Sequence, residues 1–115
     1  MSRPDRMPGR GELDAALAIL GTKSALALLL AARCGCQRFG DLVAHAGVSE
    51  MIGAARLKGF VDAGLMARRA YRSPQCTRYE YVLTDLGRRS LPILGELVRF
   101  GAAIGPTDST DAAES

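Results

Sequence analysis

Residues 47–88, GVSEMIGAARLKGFVDAGLMARRAYRSPQCTRYEYVLTDLGR, decide the fold. Gly47-Val48 makes a turn, and Ser49 is a favourable N-cap for a helix running to about Ala63. Gly64-Leu65 closes that helix. Met66–Tyr71 and Tyr79–Leu83 then read as two antiparallel strands. The connection Arg72-Ser-Pro-Gln-Cys-Thr-Arg78 is too long for a tight turn, so it projects as a loop. Thr84 caps a further helix of about sixteen residues, within which Pro92 predicts a kink. Helix, basic hairpin, helix is the order in which a winged helix-turn-helix meets duplex DNA, with a helix in the major groove and the hairpin near the backbone.

Upstream of this stretch, Leu13, Leu17 and Leu20 recur at helical spacing and Gly21 ends the first helix. A second helix from about Ser24 to Arg33 is apolar on nearly all sides and belongs at the centre of the molecule. A loop, Cys34-Gly-Cys-Gln-Arg38, leads to a short third helix from Phe39 to about Ala46. The fold class is therefore mainly α with a small antiparallel hairpin, about five helices plus a wing. Residues 12–104 form this domain. Residues 1–11, with two prolines, two glycines and Arg3, Arg6 and Arg10, read as a flexible basic arm. Residues 105–115, GPTDSTDAAES, read as a disordered acidic tail.

Composition agrees with one domain of 115 residues. Hydrophobic residues make up 48% of the chain but aromatics only 5%, and Trp is absent, so the core is expected to be Leu and Ala between helices. The longest apolar run, Ala25 to Ala32, is too short to span a bilayer, and no hydrophobic segment follows the N-terminal arginines. A cytoplasmic, soluble protein without membrane attachment is the expectation. The net charge of +3 conceals an asymmetry, because Asp108, Asp111 and Glu114 offset cations that lie elsewhere. Arg68, Arg69, Arg72 and Arg78 cluster in the hairpin, which suits a polyanion whose counterions are released on binding. A merely solvated charged surface is the competing reading.

A helical wheel assigns the face of the fourth helix. At 100° per residue Gly53, Leu57 and Phe60 point inward, while Met51, Ala54, Ala55, Lys58 and Asp62 point outward and Glu50 and Arg56 lie on the flanks. The residues available to DNA are Ser49, Glu50, Met51, Ala54, Ala55, Arg56 and Lys58 on this helix, with Arg38 before the third helix and Arg69, Arg72 and Arg78 on the hairpin. Base edges are normally read by Arg, Lys, Asn or Gln, whereas Ala and Met can meet only thymine methyls. Reading through this helix is therefore expected to be weakly specific. Gly53 and Gly59 each weaken it by roughly 1 kcal/mol relative to Ala. Tyr79 and Tyr81 fall on one strand face with Leu83 and read more readily as core covers than as phosphate donors.

Leu86, Ser90, Ile93, Leu94, Leu97 and Phe100 make an apolar stripe longer than one small domain requires. With the first helix it would form a homodimer interface, and a palindromic operator would match such symmetry.

The ordered series Leu17-Ala-Ile-Leu-Gly-Thr-Lys23, Arg38-Phe-Gly-Asp-Leu42, Val48-Ser49, Arg56-Leu57, Ala63-Gly-Leu65 and Tyr79-x-Tyr-x-Leu-Thr-Asp-Leu-Gly87 resembles the HxlR-type family of bacterial transcription regulators over about residues 12–103. The resemblance implies a dimeric winged helix-turn-helix repressor or activator, with helices three and four as the turn motif and the outer helices dimerising. Family members usually carry Trp where this chain has Ser24. The cysteine through which some members sense oxidants aligns with Gly11.

Three cysteines have several readings. Cys34 and Cys36 flank one residue on a loop and Cys76 lies on the hairpin. They are incidental thiols, a thiol switch gating DNA affinity, or soft-metal ligands. The ligand list is too short for an ordinary metal site, and Arg33 and Arg38 nearby favour a redox reading over a metal one. No metal or cofactor is expected. Enzymatic readings find no nucleophile or acid to partner the lone His45, and no phosphate-binding glycine loop is present. A third reading is a family relative with degenerate DNA reading that acts through protein or small-molecule partners. The residues name no effector.

Overall fold

The computed structural model describes residues 7–105. The elements in chain order are α1 (Arg10–Leu20), α2 (Lys23–Arg33), α3 (Phe39–Ala46), α4 (Glu50–Asp62), β1 (Met66–Arg72), β2 (Thr77–Leu83), α5 (Asp85–Arg88) and α6 (Leu91–Ile104). The bulk of the basic arm and the acidic tail, residues 1–6 and 106–115, lies outside the described residues. The arm ends earlier than its composition suggests. Arg10 and Gly11 are already helical, and Arg10 Nε lies 3.0 Å from Asp14 Oδ1 one turn on.

Local chemistry sets most boundaries. Thr22 Oγ1 accepts from Ala25 N at 3.2 Å and Ser49 Oγ accepts from Ile52 N at 3.2 Å, so each hydroxyl satisfies an orphan amide of its helix. Gly47 adopts φ 69° as it ends α3, a left-handed conformation that costs glycine little. Thr84 does two jobs. Its Oγ1 accepts from Gly87 N at 3.0 Å and donates to Gly64 O at 2.6 Å, tying the end of α4 to the start of α5.

The single kinked helix expected after Thr84 is instead two helices. α5 has four residues and α6 starts at Leu91, which places Pro92 in the first turn. A proline there removes an amide that has no intrahelical partner, whereas continuing one helix through it would lose a bond and crowd the preceding turn. Buried Ser90 closes the junction by donating from Oγ to Gly87 O at 2.6 Å.

α2 lies at the centre, packed against α1, α3, α4 and α6. Leu28, Leu29, Leu42 and Leu57 are fully enclosed and Phe60 nearly so, which makes the core leucine-rich as composition suggests. Gly53 is a packing residue as well as a helix weakness. A Cβ there would meet Val43 Cγ2 at 2.6 Å, so glycine is what lets α3 and α4 approach. Gly87 is tighter still, with a Cβ meeting Leu65 O at 1.9 Å.

β1 and β2 pair antiparallel from Met66 opposite Leu83 to Arg72 opposite Thr77. Arg72, Thr77 and Arg78 are therefore strand residues, and the connection shrinks to Ser73–Cys76. Ser73 Oγ donates to Cys76 O at 2.7 Å and accepts from Cys76 N at 3.2 Å, closing the turn. The loop is shorter than its sequence implies because this serine stands in for a backbone partner. On its other edge β2 meets the segment before α3: Tyr81 N donates to Gln37 O at 2.7 Å, and Arg38 bridges Glu80. No single described helix is long and apolar enough to cross a membrane. α1 and α2 pass that test only as a pair, and they meet at 76°.

Candidate nucleic-acid interface

α3, the Gly47-Val48 turn, α4 and the β1–β2 hairpin form one continuous arrangement, the helix-turn-helix with its wing. α4 presents Gly53, Leu57 and Phe60 to the core. Its opposite side carries Met51, which is 82% exposed, with Ala55, Gly59 and Asp62. Ala54 and Lys58 lean toward the hairpin and share a cleft with Arg68 and Tyr81. The wheel's outward residues are all exposed, but Ala54 and Lys58 turn toward the hairpin and Gly59 joins the opposite side.

The polar residues expected to reach DNA are largely engaged with the protein itself. Ser49 caps its own helix. Lys58 Nζ lies 2.8 Å from Asp62 Oδ2. Arg56 turns away from the outward face and donates from Nε to Ser24 Oγ at 2.9 Å. Ser24 is the position where the resembling family usually has Trp, so a hydroxyl there gives Arg56 an anchor. Glu50 lines a cleft of about 400 Å³ between α3 and the wing, with Phe39, Tyr79 and Arg78.

The hairpin arginines divide into two pairs. Arg69 Nε lies 2.8 Å from Glu80 Oε1, whose side chain is 17% exposed, and Arg68 covers the Tyr79 ring at 4.4 Å. Arg72 and Arg78, beside the Ser73–Cys76 turn, have neither a carboxylate nor a ring partner among the described residues. Arg38 sits over the Tyr71 ring at 4.6 Å, which fixes one more cation near the tip of the wing, where Tyr71 pairs with Arg78.

Tyr71 and Tyr79 are the residues that sequence reasoning missed in this role. Tyr79 is 41% exposed and serves as a platform for an arginine instead of as a core cover, whereas Tyr81 does pack against the core. Strand alternation gave Tyr79 a face but could not name Arg68 as its neighbour. For Arg38 and Tyr71, thirty-three positions apart, no local signal existed.

The cysteines are dispersed. Cys34 is exposed at the end of α2 and Cys36 is half-buried against the core. Cys76 is exposed in the wing turn and lines the cleft with Phe39, whereas Cys36 lines a different small pocket with Arg33 and Arg88. All three are free thiols. Among the described residues no three His, Cys, Asp or Glu side chains gather as a metal set. His45 Nδ1 lies 2.9 Å from Asp41 O on its own helix.

A second surface lies away from the wing. α1 contains no fully buried residue. Together with α2 and α6 it lines an open groove of about 1010 Å³, with Leu13, Leu17, Leu30, Ile93, Leu97 and Val98 among its walls. Phe100 and Ile104 on α6 are also exposed, at 64% and 70%.

Comparison with known proteins agrees with this geometry. An uncharacterized HTH-type transcriptional regulator of Mycobacterium bovis is 34% identical over 86 residues, which is 75% of this chain and 54% of the relative. A Mycobacterium tuberculosis counterpart matches to the same extent. The chain thus spans about half the length of the curated relatives it matches. Among solved structures, the redox regulator HypR in its reduced form superposes with a TM-score of 0.71 at 22% identity, covering 80% of this chain and 91% of that one. PA1607, a candidate transcription factor, gives 0.70 at 28% identity, covering 87% and 66%. Diamide-treated YodB from B. subtilis gives 0.64 at 18% identity, covering 93% and 99%. The likeness to HypR and YodB is one of fold. The model of the HxlR-like helix-turn-helix family matches residues 19–109, and with the winged architecture and the ordered motifs already in place, the chain belongs to the HxlR-like helix-turn-helix family.

Proposed function

We propose that this protein is a cytoplasmic regulator of transcription that binds duplex DNA as a homodimer, with α4 directed into the major groove and the wing arginines on the adjoining backbone or minor groove. The observation that carries the reading is the pair of guanidiniums, Arg72 and Arg78, that have no ion-pair or ring partner among the described residues and stand at the tip of a wing beside an exposed α4. Cations so placed neutralise phosphates without first giving up an internal ion pair. The regulators named among the relatives support the same reading.

The exposed side of α1 supports the dimer. α1 packs Ile19 and Leu20 on the core but buries none of its residues fully and leaves Leu13 and Leu17 exposed, apolar surface that a second copy would cover. A second copy laid on the groove between α1 and α6 would cover Leu13, Leu17, Ile93 and Leu97, and a two-fold axis there would present two α4 helices to a palindromic site.

Gel retardation of duplex DNA from upstream of the protein's own coding region, at low salt, tests the central claim. Retardation that weakens steeply as salt rises is expected, and its absence at low salt ends the DNA reading. Sedimentation of the Leu17→Glu, Leu97→Glu double variant tests the dimer. A folded monomer is expected, and a variant that sediments as the parent does would place the interface elsewhere.

A further inference from the structure

We infer that α4 reads thymine 5-methyl groups, and that the DNA this protein selects carries A·T pairs with thymine methyls under Met51, Ala54 and Ala55. The inference rests on the DNA-binding reading above and adds to it the chemistry of the site that is read.

The argument begins with what the outward face of α4 lacks. Arg56, the long donor on this helix best suited to a guanine, is drawn back to Ser24 at 2.9 Å. Lys58 is paired with Asp62 at 2.8 Å, and a lysine that left this pair would leave a carboxylate on the same face. Glu50 lies in the cleft toward the wing, and Ser49 accepts from its own helix. What stands outward is Met51, 82% exposed at the first turn, followed by Ala55, with Ala54 exposed beside it on the side toward the wing.

In the major groove the only apolar group on a base edge is the thymine methyl. Met51 and the two alanines have no donor for guanine O6 and N7, and only the weak thioether acceptor of Met51 to replace the water lost from cytosine N4. A G·C pair beneath them would be desolvated with little compensation, whereas a thymine methyl would be buried against carbon and sulfur. Each methyl so buried favours binding by about fourfold.

The wing points the same way. A·T-rich tracts have a narrow minor groove whose negative potential attracts arginine. Arg72 and Arg78, opposite Thr77 and Tyr71 at the hairpin tip, are the two wing guanidiniums with no internal partner among the described residues. Selection by α4 and attraction by the wing therefore favour one kind of duplex.

The test uses the full chain. Duplexes selected from a random library are sequenced, and the retained sequences are resynthesised with deoxyuridine in place of thymidine. This removes the methyl and leaves the pairing intact. Thymine enrichment is expected, with affinity falling about fourfold for each contacted methyl removed. In Met51→Ser, whose side chain leaves the core untouched, part of the gap between thymidine and deoxyuridine duplexes should close while the salt dependence is unchanged. Retained duplexes without thymine enrichment would overturn the inference. So would enriched duplexes bound equally with thymidine or deoxyuridine, which would assign the preference to the wing alone. If the library yields no retained duplex even at low salt, the DNA reading itself fails, and the methyl inference fails with it.

Discussion

Between Met66 and Leu83 the hairpin carries four guanidiniums, two of them without an internal partner among the described residues. Beside it, the outward side of α4 offers a methionine, two alanines and a lysine already paired with an aspartate. The two regions share one surface and present opposite chemistries to a polyanion. The hairpin can supply affinity through phosphates that every sequence possesses, while α4 can supply only selection among base edges, and only for the least polar of them. On the proposed DNA-binding reading, affinity and specificity would be separable residue by residue.

The largest expected effect comes from breaking the joint that sets the hairpin against α4. Gly87→Ala pushes a methyl into the Leu65 carbonyl, which a Cβ would approach to 1.9 Å. A loss of about 3 kcal/mol or more in unfolding free energy is expected, read from denaturant midpoints. An unchanged midpoint would mean that α5 does not seat on the end of α4 as described.

Next in size is the wing. Arg72→Ala and Arg78→Ala together are expected to weaken binding to all duplexes alike and to flatten the salt slope by about 0.9 per lost phosphate contact, measured by titration at several salt concentrations. If either change alters preference at one base pair instead, that arginine reads the minor groove and the division of labour needs redrawing.

Smaller still is the effect of giving α4 the polarity it lacks. Ala55→Gln is expected to raise affinity for duplexes with adenine in reach by about 1–3 kcal/mol and to leave others unchanged, measured against a panel of sequences. A uniform profile would show that α4 stays out of the groove.

The smallest change concerns the restrained cation. Glu80→Gln frees Arg69 from its partner at 2.8 Å. Stability should fall by no more than about 1 kcal/mol, because Arg69 is well exposed, while the salt slope for DNA steepens slightly. A salt slope identical to the parent's would keep Arg69 out of the interface.

How far these regions were legible in the sequence depended on distance along the chain. Ser49 and Thr84 announce helix starts because a cap acts within three residues, and Gly47 announces a stop because its conformation is its own. The inward face of α4 followed from periodicity for the same reason. The junction at Ser90 was harder. Pro92 signalled a disturbance, but a kink and a fresh helix differ only in which hydrogen bonds survive, and Ser90 settles that by bonding to Gly87. The wing turn is shorter than its composition implies because strand pairing extends to Arg72 and Thr77 once Ser73 closes the loop.

By itself the sequence determined the order of elements, the family, the buried side of α4 and the position of the basic hairpin, all carried by spacing, caps and charge within a few residues. Tertiary structure decided which polar groups are spent. Arg56 meets Ser24 across thirty-two positions, Arg38 settles on Tyr71, and Arg69 pairs with Glu80 across the strands, leaving Arg72 and Arg78 as the wing cations without a partner among the described residues. A guanidinium takes whichever partner folding brings near it, and no local pattern records that choice.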